Sequence, residues 1–324
     1  MILLDANLHE LGEVDIDLDV EVGTSEDASN DFVMSNATFS KVSGVGGFYI
    51  PNTELGGMFE DIVTKTDEEV AQLRGYTWRG LMSLSIIEPP SGSDYMTVSG
   101  EANDIITSLL ANVLGGFFNV STEDSGLTIT SYQFPLYINT LDGIEGMLER
   151  YGYRLHIWAE KVASGQPIQV KVEAVQATQL SGTYDEDNKI PMTFELNKMG
   201  INHLICVGSG ELQNRMKVDL YIDEDGYISQ SQFYTGFEER TAFFDYSSAE
   251  SLQDLIDNGT EELKNLASSK TLEMKAPQDL GLEVGDVVKG VFPDGTVLIS
   301  PVVKKIYTIS NGLLDTEVKL KGEN

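Results

Sequence analysis

The sequence predicts an α+β fold that is mainly β, with an α/β insert near its middle. Three observations carry this. Residues 14–22 alternate strictly between aliphatic and acidic side chains, the period of a half-buried strand. Short apolar runs are separated by many glycines (31) and few prolines (9), which suits tight turns between strands. Between 99 and 180, helical periodicities alternate with strand-like runs, the pattern of an α/β segment. The 324 residues suffice for two or three domains with sizeable cores.

The alternating stretch is Val14-Asp15-Ile16-Asp17-Leu18-Asp19-Val20-Glu21-Val22. One strand face is aliphatic and the other acidic. Asp15, Asp17, Asp19 and Glu21 project in a row, about 7 Å apart at every second residue. Like charges in a row destabilise unless hydrated or bound to cations. They are too evenly spread for one calcium cage of about six to eight oxygens, so the row reads as a solvated strand face. Residues 1–40 hold ten carboxylates and no Lys or Arg.

Phe32 to Ile50 reads as two strands around Ser43-Gly44-Val45-Gly46-Gly47. No Lys-Ser/Thr follows these glycines, and Phe48-Tyr49-Ile50-Pro51 is strand-like, so they form a hairpin turn rather than a nucleotide loop. Gly56-Gly57 is a turn before the strand Met58 to Val63, and Thr66-Asp67-Glu68-Glu69 is a polar turn. Residues 1–98 thus read as a barrel or sandwich of short strands. Within them, Tyr76-Thr77-Trp78-Arg79-Gly80-Leu81-Met82 suits a strand, since Thr77, Trp78, Leu81 and Met82 fit a half-buried pleated surface. Pro89 and Pro90 make a rigid corner and bias Glu88 to an extended conformation. A second short strand follows Asp94, and Gly100 releases the chain into a helix that Asn103 caps.

In the insert, 99–180, Ile105, Ile106, Leu109, Leu110, Val113 and Leu114 mark a helix over 104–114 that Gly115-Gly116 ends. Strands follow at Phe117 to Val120 and Leu127 to Tyr132. Thr140 opens a second helix, with Leu141, Ile144, Leu148 and Tyr151 on one face. Strands resume at Tyr153 to Ala159 and Ile168 to Ala177.

The acidic loop Ser181 to Asn188 is the second boundary, and 181–324 reads as a second β-rich module with one long helix. Its strands are Met192 to Leu196, His203 to Val207, Lys217 to Ile222 and Tyr227 to Phe233. The turn Asp223-Glu224-Asp225-Gly226 has too few ligands for an EF-hand. Ser247 and Glu250 form a capping box for a helix over 249–268, faced by Leu252, Leu255, Ile256, Leu263 and Leu266. Gly259 weakens its continuity. Later strands are Thr271 to Met274, Val287 to Phe292, Val297 to Ile309 and Glu317 to Lys321. Pro293-Asp294-Gly295 and Ser310-Asn311-Gly312 turn the chain between them.

The net charge of −31 repels nucleic acid and anionic membranes, so neither specific nucleic-acid binding nor membrane insertion is expected. Cys206 is the only cysteine and sits in an apolar run, where a buried thiol is the ordinary case. No basic leader and no span of transmembrane length is present, and a cytoplasmic site of synthesis is expected. His9, His156 and His203 fit no metal or triad pattern, and no Gly-x-Ser-x-Gly elbow occurs. No catalytic, metal or cofactor residue is therefore assigned. Abundant carboxylates, Trp78, Trp158 and the tyrosines leave a carbohydrate-binding or glycan-cleaving protein as the alternative.

Three stretches resemble one family. They are Tyr49-Ile50-Pro51-Asn52-Thr53-Glu54-Leu55-Gly56-Gly57; the run from Tyr76 through Ile86-Ile87-Glu88-Pro89-Pro90 to Asn103; and Glu283-Val284-Gly285-Asp286-Val287-Val288 on to Lys304-Lys305-Ile306. Together they resemble the tail-hub, baseplate-hub-like proteins of long-tailed (siphovirus-type) bacteriophages, over nearly the whole chain. The resemblance implies two tail-tube-like β-barrel modules with an α/β insert and a homotrimer that caps the tail tube, adapting its sixfold symmetry to a threefold tip. It implies the distal tail ring, tail tube, tape-measure and tip or receptor-binding proteins as neighbours, in a virion tail assembled in the host bacterial cytoplasm. Trp78, Arg79, Gly80, Pro89, Pro90 and Gly100 are then architectural, and no cofactor is involved. The chain ends at Asn324, after the hub-like part, so lytic activity is not expected of it. The acidic strand face is expected to look into a channel for DNA.

Overall fold

The computed structural model describes residues 1–24, 28–38, 44–65, 70–184, 192–197, 200–223, 226–267, 269–274, 281–291 and 297–321. The expected turns at 66–69 and 293–295, the loop at 185–188, residue 43 of the glycine turn and residues 224–225 lie outside them. The chain divides into two compact units, Met1–Met192 with Glu273–Leu320, and Thr193–Leu272 with Lys321–Asn324.

The first unit begins with β1 (Ile2–Leu4), β2 (Glu10–Glu13), β3 (Asp17–Gly23), β4 (Asp31–Thr38), β5 (Gly47–Tyr49), β6 (Gly56–Lys65) and β7 (Val70–Thr77). The alternation at 14–22 does what its period demands. Ile16, Leu18, Val20 and Val22 are buried and pack with Phe32, Met34, Phe48 and Leu73. Each such aliphatic side chain contributes about 1.5–3 kcal/mol by leaving water. Asp15 lies just ahead of β3, outside the ladder.

Strand β7 stops at Thr77, and α1 (Trp78–Ser83) follows. This corrects the expected strand over Tyr76 to Met82. The Thr77 hydroxyl accepts from the Gly80 N–H at 3.2 Å and caps the turn, the usual role of threonine at a helix start. Trp78, Arg79, Gly80, Leu81 and Met82 are all buried. A strand offers only two faces, whereas a helical turn of about 3.6 residues sends Trp78, Leu81 and Met82 into the apolar core, Arg79 to Glu54 and Glu145, and Gly80 against the Asn30 carbonyl. Gly80 lets that helix lie against the Asn30 carbonyl, with no room for a side chain.

The insert follows as β8 (Thr97–Glu101), α2 (Ala102–Leu110), β9 (Phe118–Val120), β10 (Thr128–Gln133), α3 (Thr140–Glu149), β11 (Tyr153–Glu160) and β12 (Gln169–Gln176). β8 pairs with β10, and β12 lies between β11 and β9. Gly100, at φ +131, does release the chain, but the helix cap is Glu101, whose carboxylate accepts from the Asp104 N–H at 3.0 Å. Asn103, expected to cap, is buried inside the first turn. It donates to the Glu123 carbonyl at 2.9 Å and accepts from the Ala174 N–H at 2.8 Å, because a buried amide must be satisfied somewhere. Trp78, Leu81 and Met82 share one core with Ile106, Leu141, Ile144, Leu155 and Val170, and also with Leu4 of β1 and Tyr49 of β5.

After β13 (Gln179–Tyr184) and β14 (Met192–Asn197), the second unit contains β15 (His203–Val207), β16 (Lys217–Ile222), β17 (Ile228–Ser229), β18 (Thr241–Asp245) and α4 (Leu252–Leu266). Its sheet order is β17-β16-β15-β18. The expected strand Tyr227 to Phe233 shrinks to two residues, and β18, which the sequence reading omits, pairs parallel to β15. The helix is continuous through Gly259, which is buried. Its cap is Ser251, whose hydroxyl accepts from the Asp254 N–H at 3.1 Å. Ser247 and Glu250, the expected box, lie ahead of it, and Asp254 accepts from the Glu250 N–H instead.

The chain returns through β19 (Ser269–Met274) to β20 (Val287–Val291), β21 (Val297–Ser310) and β22 (Leu313–Leu320). Asn311 (φ +52) and Gly312 (φ +74) form the β21–β22 turn, the left-handed pair that a tight hairpin requires. β21 lies antiparallel to β3, with Ile306 opposite Glu21 and Ile309 opposite Leu18. The long antiparallel sheet of the first unit therefore runs β22-β21-β3-β4-β7-β6-β5-β1-β2, built from both ends of the chain.

Candidate functional site

Arg79 is the centre of a buried ionic junction. Capping at Thr77 places it in the first turn of α1, and it is 1% exposed. Its Nε meets Glu54, its Nη1 meets Glu145, and its Nη2 donates to the Leu155 carbonyl at 3.2 Å. These partners come from the β5–β6 turn, from α3 and from β11. Local chemistry shapes the first of them: the Thr53 hydroxyl donates to the Ile50 carbonyl at 2.8 Å and accepts from the Leu55 N–H at 3.1 Å. Gly56 lies so close to the Trp78 ring that a Cβ there would be 2.6 Å away. The stretch around Glu54 and the stretch around Trp78 thus meet face to face.

The electrostatics of the junction are asymmetric. Burial alone would lower the Arg79 pKa, but Glu54 and Glu145 outweigh it and hold the guanidinium above its ordinary value. At Glu145 burial dominates over the attraction of Arg79 and pushes the carboxyl up to about 8. One guanidinium faces two carboxyl groups. Glu145 Oε2 and Trp78 Nε1 are buried without a hydrogen-bond partner among the described residues.

A second node lies in the late stretch. Asp286 is 1% exposed and accepts from Arg154 Nε at 2.7 Å, from the Thr178 N–H at 2.8 Å and from the Glu283 N–H at 2.9 Å. Gly285 (φ +91) lets the chain pass Arg154, whose Cβ would lie 2.5 Å from any side chain at 285. Lys305 reaches Glu283 at 3.1 Å and sits 4.9 Å over the Tyr307 ring. Between the nodes is a cavity of about 330 Å³, lined in part by Glu54, His156, Glu283, Lys305 and Tyr307. Burial raises Glu283 despite Lys305. His156 stacks on Trp158 at 4.8 Å, and burial lowers its pKa. Among the described residues no cluster of three or more His, Cys, Asp or Glu is arranged to hold a metal.

The acidic row stands elsewhere, on the other face of β3. Asp17 accepts from the Asn311 N–H at 3.1 Å, Asp19 from the Thr308 hydroxyl at 3.0 Å, and Glu21 pairs with Lys304 at 2.8 Å. Burial opposes ionisation of Glu21, but Lys304 and Ser29 outweigh it and lower its pKa. The row is therefore tied to β21 and its turn as well as hydrated. Pro89, Pro90 and Gly100 lie outside the junction, while Trp78, Arg79 and Gly80 build it.

Glu145 and Arg154 were missed by sequence reasoning, and Glu54 and Asp286 were named only within the family-like stretches, without a role. A signal for Glu145 existed: it falls four residues after Leu141 and three before Leu148, on the apolar face of α3. Arg154 carries none, because its partner is distant in sequence. In the second unit His203 stands between Glu239 (2.8 Å) and Asp219 (3.0 Å), lies 3.1 Å from the Thr241 hydroxyl and stacks on Tyr221.

No protein-family model matches the sequence, and no curated protein does. Among solved structures, the chain is similar to the 43 kDa tail protein of prophage MuSo2 from Shewanella oneidensis (10% identity, TM-score 0.47, covering 97% of this chain and 95% of that one). It is similar to a tail protein from Neisseria meningitidis (12%, 0.44, 98% and 94%) and to a prophage tail protein from Listeria monocytogenes (13%, 0.46, 100% and 94%). These three are tail proteins, each aligned over nearly the whole length of this chain.

Proposed function

We propose that this chain is a structural protein of a phage-type tail, the hub at its tip. Three copies cap the tube, each supplying two tube-like β modules and one insert, so that six similar modules meet the tube and three subunits form the tip. It joins the distal ring, tail tube, tape-measure protein and tip proteins in the virion and is assembled in the host cytoplasm. The acidic face of β3 lines the channel, where carboxylates on three copies of a chain of charge −31 repel the phosphates of passing DNA.

The observation that carries this reading is the convergence of the hub-like stretches. Glu54, Arg79 and Asp286 come from the three stretches that resemble hub proteins, and each is spent on locking the insert to the long sheet. Such residues serve architecture rather than turnover. The carbohydrate alternative needs an exposed aromatic cleft, whereas Trp78 is fully buried and Trp158 is half-buried under His156.

Negative-stain imaging of the concentrated protein, classified for symmetry, tests the reading. Threefold rings with an open, DNA-wide channel are the expected result. Compact single particles that also fail to add to purified tails lacking a tip would overturn it.

A further inference from the structure

The Arg79 junction has a carboxyl too many. Among the described residues Arg79 is the one cation in an ion pair with Glu54 and Glu145, and all three side chains are largely sealed, at 1%, 7% and 12% exposure. Two ionised carboxylates on one guanidinium leave a net negative charge out of water, which burial disfavours unless it is compensated. The two acids are not equivalent. Glu54 also lines the cavity beside the junction, whereas Glu145 Oε2 is shut in without a partner.

We propose that Glu145 carries a proton while α3 is docked, and that losing this proton loosens α3 from Arg79, making the junction a protonation latch between insert and sheet. The latch stands on the geometry of the junction and does not depend on the tail reading. β10 lies against α3 through Tyr132, whose hydroxyl faces Gly146, and β11 carries His156, which senses both Glu54 and Arg79. α1 presents Arg79, and the β5–β6 turn presents Glu54. α3 itself adds Asp142 one turn earlier, whose charge also disfavours ionisation of Glu145. β11 offers Arg79 the Leu155 carbonyl, and α2 contributes apolar side chains such as Ile106 and Leu110. Arg79 favours the charged form of Glu145, while burial, Asp142 and Glu54 oppose it, in keeping with a carboxyl pushed up to about 8.

The sign follows from linkage. A carboxyl raised in the docked state and ordinary in the open state binds its proton more tightly when docked. Docking is then strongest at acidic pH and weakens as pH rises, until the docked carboxyl ionises as well. Hydrogen exchange of the α3 and β11 amides in the full chain, corrected for the intrinsic pH dependence of exchange, reads this directly. Protection should fall by up to about tenfold per pH unit from the ordinary carboxylate range upward and level off above about 8.

Glu145→Gln, which keeps the shape and the neutrality, should remove that slope and retain the acidic-side protection. Infrared spectroscopy gives a second readout. A protonated-carboxyl C=O contribution from Glu145 should be present at about pH 6 and lost by about pH 9, and it is read as the wild-type minus Glu145→Gln difference band, because Glu283 is a second carboxyl raised by burial. Wild-type protection that does not change with pH, or a Gln variant with an unchanged slope, would overturn the latch. So would the absence of that difference band at the acidic end.

Discussion

Gly259 presses its backbone against the sulfur of Cys206: a side-chain carbon at 259 would lie 2.5 Å from Sγ and 2.9 Å from Leu220 Cδ1. The mid-helix glycine that weakens a sequence-based helix is what lets α4 settle onto β15 and β16. Gly259→Ala should therefore destabilise the second unit although alanine is the better helix former. Overpacking costs about 1–3 kcal/mol, and the propensity gain returns roughly 1 kcal/mol. A double-mutant cycle with Cys206→Ala should show favourable coupling on the order of 1 kcal/mol. Additive effects in urea unfolding would mean that the contact is not the cause.

Arg79 holds three elements with one side chain. Arg79→Ala should cost about 3–5 kcal/mol, because it strands buried carboxyl groups. Arg79→Lys should recover only part of that, since an ammonium cannot serve Glu54, Glu145 and the Leu155 carbonyl with one planar fork. Both tryptophans, Trp78 and Trp158, lie in the first unit, so selectively excited tryptophan fluorescence during urea unfolding reports on that unit. A lysine variant as stable as the parent would show that the fork geometry is irrelevant.

Glu101 gives a pH dependence of opposite sign to that of Glu145. Burial raises its pKa, but Ser125 and the backbone N–H groups of Ser125, Asn103 and Asp104 outweigh this, and the net shift is downward. A carboxylate depressed in the folded state contributes stability that is present above its ordinary value and lost as pH falls through the folded one. Glu101→Gln should therefore lower stability near neutrality by about 0.5–2 kcal/mol and flatten the acid side of the fluorescence-detected melting profile. An acid limb as steep as that of the parent would assign acid sensitivity to other groups.

The acidic row tests the channel reading on assembled particles. Replacing Asp15, Asp17, Asp19 and Glu21 by their amides leaves the aliphatic face of β3 untouched, so the long sheet should survive. With the repulsion removed, DNA should dwell in the channel, and ejection from variant particles should slow and become more sensitive to salt. Unchanged ejection from stably assembled variant particles would place the row away from the DNA path.

What the sequence by itself determined is local. The period-2 pattern at 14–22 can bury only one face, so Leu18, Val20 and Val22 became core whatever lay beside them. The helical spacing of Leu141, Ile144 and Leu148 made α3, and Asn311-Gly312 made a tight turn, because these outcomes depend on backbone sterics and on side chains a few residues apart. Only the tertiary structure decided the rest. Tyr76 to Met82 has the composition of a strand, yet α1 forms because its successive residues meet several partners in different directions: the apolar core, Glu54 with Glu145, and the Asn30 carbonyl. Asn103 and Ser247 resemble caps, but burial and neighbouring acceptors gave that role to Glu101 and Ser251. The Arg79–Glu145 and Arg154–Asp286 pairs join residues 66 and 132 positions apart. β21 lies beside β3 from the opposite end of the chain. No local pattern encodes such pairings, because the free energy that selects them comes from desolvated charges and apolar surface that meet only once the chain has closed on itself.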